Sequence, residues 1–284
     1  MKNCLTSIIS SDHADFEFEI IVIDNNSSDD TFSVVQGFMK DENHKIIYYK
    51  EERVGLYNAR QAGANIAHGK YLIYIDDDAV LMPNFFEVLA PMLHEGKYDA
   101  IGGECYPWFY YGKPRWMAED YGMRNIPVAK EINSIYETPH GGIMVIKDYW
   151  VERIGWDTMF GMSGRKVAYG EDTYFFKEML EQKAKIYFQP NLAIRHIITM
   201  SKLSLLWQLK AQYAMSRDTE LILHNQRSIL LLVPLTISFF IKNIPKYTLK
   251  FFFTKDYYWE NYLLDVGQNI AHILGIASSK FRKL

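Results

Sequence analysis

Three consecutive carboxylates, Asp76, Asp77 and Asp78, follow directly on the apolar run Tyr71-Leu72-Ile73-Tyr74-Ile75. Like charges crowded at the end of a buried strand repel one another, so a fold gains nothing from them unless a cation compensates them. A hard divalent ion suits the position, because Mg²⁺ takes one or two carboxylates together with substrate phosphates. Side chains alternate along extended chain, so Asp76 and Asp78 can face one side. One can hold the metal, and the other a ribose hydroxyl or the metal again. A solvated acidic turn is the competing reading.

Four further positions carry chemistry. Asp24 ends the run Glu19-Ile20-Ile21-Val22-Ile23 and precedes Asn25-Asn26-Ser27-Ser28-Asp29. A carboxylate at a strand end can accept from a nucleobase or ribose, or it can cap the following helix. Arg60, in Gly55-Leu56-Tyr57-Asn58-Ala59-Arg60, lies one turn into a helix, where its fork could grip a phosphate or a carboxylate. A surface ion pair is the plainer alternative. Glu171-Asp172 follow Gly170 at a helix start; a carboxylate there can take a proton from an acceptor hydroxyl or merely complement the helix dipole. His196 ends a short strand after Pro190 and is structural unless it completes a metal shell, for which imidazole suits Mn²⁺ as well as Zn²⁺.

The elements that must position these residues follow from periodicity. The apolar run at 19–24 reads as a parallel strand buried on both faces, and that at 71–75 as a further buried strand. Further strands are expected at Lys45–Tyr49, Tyr98–Glu104 and Gly141–Ile146, with two short ones, Lys185–Gln189 and Leu192–Ile197, separated by Pro190. Helices are expected after Asp29, after Gly55, from Pro83-Asn84, over Lys147–Ile154 and from Gly170 to about Lys183. Alternating strands and helices predict an α/β domain with a Rossmann-like, mostly parallel central sheet flanked by helices, ligands lying beyond the carboxyl ends of the strands. Between Tyr106 and Thr138 periodicity fades into a long excursion rich in aromatics, Pro and Gly.

The chain of 284 residues can bury a sizeable core without disulfides. Its two cysteines, Cys4 and Cys105, are far apart and read as reduced cytoplasmic thiols. A net charge of −3 argues against a nucleic-acid partner. Past residue 200 the chain reads as a helical appendage, giving a division into 1–200 and 201–284. The stretch Ser228–Ile241 is apolar but interrupted by Pro234, and it is shorter than the ~20 residues needed to span a bilayer. Beyond it, seven basic residues face three acidic ones among many aromatics, a composition suited to peripheral membrane contact through 228–284.

Taken together, Glu19–Asp29, Gly55–Arg60, Gly69–Asp78, His140-Gly141-Gly142, Gly170–Thr173 and Pro190–His196 resemble the family 2 glycosyltransferases of the GT-A fold. The resemblance covers about the first two hundred residues and rests on the order and spacing of motifs that are individually weak. It implies an inverting, metal-dependent transfer from a nucleotide-diphosphate sugar, a UDP-sugar being expected, to a saccharide or lipid-linked saccharide in surface polysaccharide or glycolipid synthesis. By that resemblance Asp24, Asn26, Arg60, Asp76, Asp77, Gly141 and Gly142 line the nucleotide-sugar site. Asp76, Asp78 and His196 hold Mg²⁺ or Mn²⁺, Asp172 is the base, and Glu171 places the acceptor. The expected location is cytoplasmic, peripheral at the inner face of the cell membrane.

One departure qualifies the resemblance. The family opens with an apolar strand and a polar turn ahead of a helix resembling Cys4–Ser10, and here the sequence starts at that helix. The resemblance makes that strand central, so its neighbours would each present unpaired backbone groups. The alternative function is therefore an inactive GT-A-fold protein that binds a partner or a membrane.

Overall fold

A computed structural model of the chain describes residues 1–11, 17–40, 45–139, 142–156, 160–163, 167–223 and 232–280. The chain divides into two compact units. The first comprises Met1–Trp108, Asp120–Gly164 and Glu171–Ile197; the second comprises Phe109–Glu119, Arg165–Gly170 and Ile198–Leu284.

In the first unit, α1 (Lys2–Ile9) precedes β1 (Ile20–Asp24), α2 (Thr31–Phe38), β2 (Ile46–Lys50), α3 (Leu56–Ile66) and β3 (Tyr71–Ile75). Then follow β4 (Ala79–Leu81), α4 (Phe85–Glu95), β5 (Ala100–Trp108), β6 (Lys130–Ile132), β7 (Ile143–Lys147), α5 (Asp148–Ile154), α6 (Glu171–Glu181) and β8 (Ile186–Ile197). The strands form two sheets. A parallel pair, β1 and β2, stands apart from a six-stranded sheet ordered β3-β7-β5-β8-β4, with β6 also on β8. Among the described residues no strand bridges β1 and β3, so each is an edge of its own sheet.

The α/β class is as the sequence reads, and the pairing is more mixed than a doubly wound sheet. β3, β5 and β8 run the same way, but β7 lies between β3 and β5 and runs against both. β4 and β6 are also antiparallel to β8. Alternate residues of β7 enter two different cores. Ile143 and Val145 pack with Phe85, Leu89 and Ile194 on one side; Met144 and Ile146 pack with Phe175, Phe176, Met179 and Phe188 on the other. Burial on both faces explains why β7 is continuously apolar rather than alternating.

Helix α4 begins at Phe85 with Asn84 as its N-cap, as the sequence reads. Two details depart from the expected elements. The two short strands around Pro190 are one strand, β8, which passes Pro190 by a register shift: Gly103 pairs with Gln189, and Glu104 with Ala193. Glycine is required at 103, because a Cβ there would overlap the Leu192 carbonyl oxygen. The long excursion contributes β6 and is tied to β5 by Glu104. That buried carboxylate accepts the backbone amides of Cys105, Arg124 and Asn125 at 3.0, 2.9 and 3.1 Å.

The second unit is helical: α7 (Leu205–Ile222), α8 (Leu232–Ser238), a π-helical turn Phe239–Asn243, α9 (Ile244–Phe253) and α10 (Trp259–Ser279). Ser204 caps α7 by accepting from the Trp207 amide at 3.2 Å. The Ser216 hydroxyl and His272 Nδ1 link α7 to α10 at 2.8 Å. No helix among the described residues is long and apolar enough to cross a membrane.

Candidate active site

The acidic run forms its site through the β4–β8 ladder. β4 follows the turn directly, and its antiparallel pairing sets Ala79 opposite His196. The Ile197 amide then donates to the Asp78 carbonyl at 2.9 Å. That register carries His196 Nε2 to 3.0 Å from Asp78 Oδ1 and 3.8 Å from Asp76 Oδ2. Asp76, Asp78 and His196 each offer a ligand atom within 4.8 Å of the others. Asp77 does not join them. Its side chain is 68% exposed, and its carbonyl accepts from the Met1 amine. Behind His196, Gly142 adopts φ 100°, and a Cβ there would lie 3.6 Å from the imidazole and 2.9 Å from Ile194 Cδ1. Gly141 and His140 lie outside the described residues.

Two carboxylates and an imidazole fit a hard or borderline divalent ion better than a thiophilic one. With three protein donors among the described residues, such an ion would keep positions for phosphate oxygens, the arrangement Mg²⁺ and Mn²⁺ favour in nucleotide sites.

Arg60 is buried, 5% exposed, and is not a surface ion pair. Its Nη1 donates to Glu171 Oε1 at 3.1 Å, and its Nη2 lies 3.9 Å from Asp76 Oδ1. The guanidinium sits over the Trp156 ring, 4.9 Å from the centroid. Trp156 is fixed in turn: its indole N–H donates to the Tyr74 hydroxyl at 3.1 Å, its amide donates to Gln61 Oε1 at 3.0 Å, and its ring stacks on Phe175. Arg60 therefore joins the metal-type cluster to the start of α6. Glu171 is buried there. Desolvation, and then the charge of Asp172, push its carboxyl up to about 7 against the pull of Arg60. Asp172 is half-buried and accepts from the Thr173 amide at 2.6 Å.

Asp24 is 5% exposed at the end of β1. It accepts the Tyr48 hydroxyl at 2.6 Å and the Ser27 amide at 2.7 Å. Burial raises its pKa, but those hydrogen bonds outweigh burial and hold the carboxyl below its ordinary value. Asn26 is exposed, with φ 60°. Its neighbour Asn25 organises the loop before α3, donating to the Glu51 and Arg53 carbonyls and accepting from the Gly55 amide at 2.7 Å.

The sequence reading missed Trp156, Tyr48, Asn25 and Arg124. Arg124 is in the excursion, within electrostatic reach of Asp172, Glu104 and Glu137, and desolvation lowers its pKa. Its buried Nε finds no hydrogen-bond partner among the described residues. Nothing local signals these roles, because each depends on chain brought in from elsewhere.

A mixed sheet flanked by helices, with paired carboxylates and an imidazole at strand ends, defines a GT-A-type α/β fold. The family model for glycosyl transferase family 2 matches residues 1–165. The chain belongs to that family. Glycosyltransferase GlyA of Streptococcus pneumoniae is 23% identical over 225 residues, covering 76% of this chain and 31% of that protein. The GalNAc(5)-diNAcBac-PP-undecaprenol beta-1,3-glucosyltransferase of Campylobacter jejuni is 35% identical over 107 residues, 37% of this chain and 33% of that protein. The chain thus spans about a third of the length of these curated relatives. Among solved structures, the mannosyltransferase PcManGT of Pyrobaculum calidifontis, in complex with GDP-Man and Mn²⁺, superposes with a TM-score of 0.65 at 14% identity. That match covers 99% of this chain and 83% of PcManGT. GalNAc-T7 with UDP, GalNAc and Mn²⁺ gives 0.54 at 16% identity, covering 75% and 44%.

Proposed function

We propose that the chain transfers a sugar from a nucleotide-diphosphate sugar to a hydroxyl acceptor, with inversion and with a divalent metal. The observation that carries this reading is the chain of ion pairs from Asp78 and His196 through Asp76 and Arg60 to Glu171, the sequence neighbour of Asp172. It sets a metal-type cluster beside a pair of carboxylates that can handle a proton. Solved proteins of the same fold carry GDP-Man or UDP together with Mn²⁺.

In this reading Asp76, Asp78 and His196 would hold Mg²⁺ or Mn²⁺, which would supply positive charge to offset that of a departing diphosphate. Asp24, with its carboxylate already ordered, accepts from the base or ribose. Asp172 takes the proton of the acceptor hydroxyl as that oxygen attacks the anomeric carbon. The bond from that carbon to the diphosphate oxygen breaks, and the nucleoside diphosphate leaves on the opposite face. Arg60 holds Asp76 and Glu171 in register. A single displacement of this kind inverts the anomeric centre.

The segment 201–284 is proposed as a peripheral contact with the inner face of the cell membrane, the acceptor being a saccharide or lipid-linked saccharide. Phe240, Ile241, Phe252, Phe253 and Trp259 are exposed among Lys242, Lys246, Lys250 and Lys255, which supports an in-plane apolar surface with basic flanks. The test is release of nucleoside diphosphate from a panel of UDP- and GDP-sugars with Mn²⁺. Metal-dependent turnover lost in Asp78→Ala and Asp172→Asn is the expected result. Turnover unchanged in both variants removes the assignment. No metal-dependent binding of any nucleotide diphosphate favours the non-catalytic reading.

A further inference from the structure

Glu171 and Asp172 stand side by side at the start of α6, and neighbouring carboxylates disfavour each other's ionised form. Each gains from a cation of its own. Arg60, on α3, donates to Glu171 at 3.1 Å. The excursion between β5 and β7 brings in a second cation, Arg124, on which Asp172 acts more strongly than any other carboxylate.

Arg124 is held at both ends. Its backbone amide and that of Asn125 donate to Glu104, on β5, at 2.9 and 3.1 Å, and Glu104 is buried. Its Nη1 donates to the Tyr136 carbonyl at 3.3 Å. Tyr136 belongs to a 3-10 turn, Ile135–Glu137, that packs against α6. The side chain thus runs from β5 towards the helix that carries Asp172. Its Nε is buried and has no hydrogen-bond partner among the described residues.

Burying a charged group is costly unless an opposite charge compensates it. Desolvation lowers the pKa of Arg124, and Asp172, Glu104 and Glu137 oppose that effect in that order. Two of these carboxylates are engaged by other donors. Glu104 accepts three backbone amides, and Glu137 accepts from Lys130 Nζ at 2.7 Å. Asp172 accepts from the amide and hydroxyl of Thr173, the next residue of α6. Those two donors fix the direction of the carboxylate but carry no charge. The positive charge comes from Arg124.

We propose that Arg124 is a positioning residue for sugar transfer: held by Glu104 and by the Tyr136 carbonyl, it supplies the counter-charge that keeps Asp172 in place as the base. Arg60 and Arg124 then divide the acidic pair between them, one on Glu171 and the other on Asp172. This rests on the transferase reading, in which Asp172 takes the acceptor proton. The ionisable groups around the pair are Arg60 on α3, Arg124, and, across Arg124, Glu104 and Glu137.

The test is steady-state release of nucleoside diphosphate by the full chain from UDP- and GDP-sugars with Mn²⁺, followed across pH. Arg124→Gln keeps a donor for the Tyr136 carbonyl and removes the charge; Arg124→Met is a second neutral variant should the first not fold. Either is expected to lower kcat by about tenfold or more, with donor KM and Mn²⁺ affinity within about twofold of the parent. The acid limb of kcat, which belongs to the Glu171–Asp172 pair, is expected to move up by about one pH unit, because losing a nearby cation favours the protonated carboxyl. Arg124→Lys is expected to recover most of both changes. A kcat within about twofold of the parent in the neutral variants overturns the proposal. So does a loss with the acid limb unmoved, or a lysine variant no better than glutamine, since an arginine that served packing alone would give those results. A parent that releases no nucleoside diphosphate removes the transferase reading separately, and urea midpoints then decide the pairing. A shift in Arg124→Gln/Asp172→Asn clearly smaller than the sum of the singles sustains it, and additive shifts overturn it.

Discussion

The guanidinium of Arg60 donates to the Glu171 carboxylate at 3.1 Å, with both side chains nearly excluded from solvent. The same guanidinium reaches Asp76 at 3.9 Å and rests on Trp156. Removing one member of a buried pair costs about 3–5 kcal/mol, because the remaining charge stays buried without compensation. Above pH 7, where Glu171 is ionised, Arg60→Met is therefore expected to lower stability by several kcal/mol in urea unfolding. The double variant Arg60→Met/Glu171→Gln is expected to lose clearly less than the sum of the singles. Additive losses would show that the pair is not energetically coupled.

Glu171 also gives the protein a pH dependence. Its carboxyl is raised from the ordinary 4.5 to about 7 by burial and by Asp172. Between those values the native state holds a proton that the unfolded chain has released, so native stability falls as pH rises from 4.5 to 7 and then levels. Melting temperatures measured without metal across that window are expected to decline in the parent protein. In Glu171→Gln the decline should be shallower, and equal slopes would remove Glu171 as its source.

The His196–Asp78 contact at 3.0 Å makes a direct prediction for metal binding. Loss of an outer-shell partner costs about 10–100-fold in metal affinity. Asp78→Ala and His196→Ala, which remove donor atoms themselves, are expected to cost at least as much. The check is titration of free Mn²⁺ by electron paramagnetic resonance. Asp77→Ala, with its exposed side chain outside the cluster, is expected to bind Mn²⁺ nearly as the parent does.

Gly142→Ala tests the backing of that cluster without touching a ligand. Its φ of 100° disfavours a side chain, and a methyl group would crowd Ile194 Cδ1 at 2.9 Å and Cys105 Sγ at 3.3 Å while coming into ordinary contact with the His196 ring. A stability loss of about 1 kcal/mol or more, with weakened Mn²⁺ binding, is expected. A stability loss with unchanged Mn²⁺ affinity would mean that Gly142 serves the fold alone.

The exposed rings of α9 make the fifth prediction. Phe252 is 71% exposed and Phe253 is 82% exposed. Burying one Phe side chain is worth about 1.5–3 kcal/mol. Phe252→Glu/Phe253→Glu is expected to lower sedimentation with anionic vesicles by about tenfold or more. Unchanged sedimentation would move the contact elsewhere.

Sequence alone determined the order of elements and which of them end in charge. Apolar runs closing on Asp24 and on Asp76–Asp78 show which strand ends carry acidic groups, because strand burial and terminal charge are written in adjacent residues. It also determined the family, since motif order survives where identity is low. Only tertiary structure decided the rest. β7 enters between β3 and β5 against both, and Pro190 is bypassed because Gly103 of another strand leaves space for Leu192. The resemblance implies the set Asp76, Asp78 and His196, but only the β4–β8 register brings His196, more than a hundred residues away, within reach of the two carboxylates, while Asp77 faces solvent. Arg60 is an internal strut between two acidic groups, not a surface fork, and Glu171 carries a raised pKa. These outcomes depend on pairing register and on how far water is excluded from each charge. Both are properties of chain segments that meet only in the folded state.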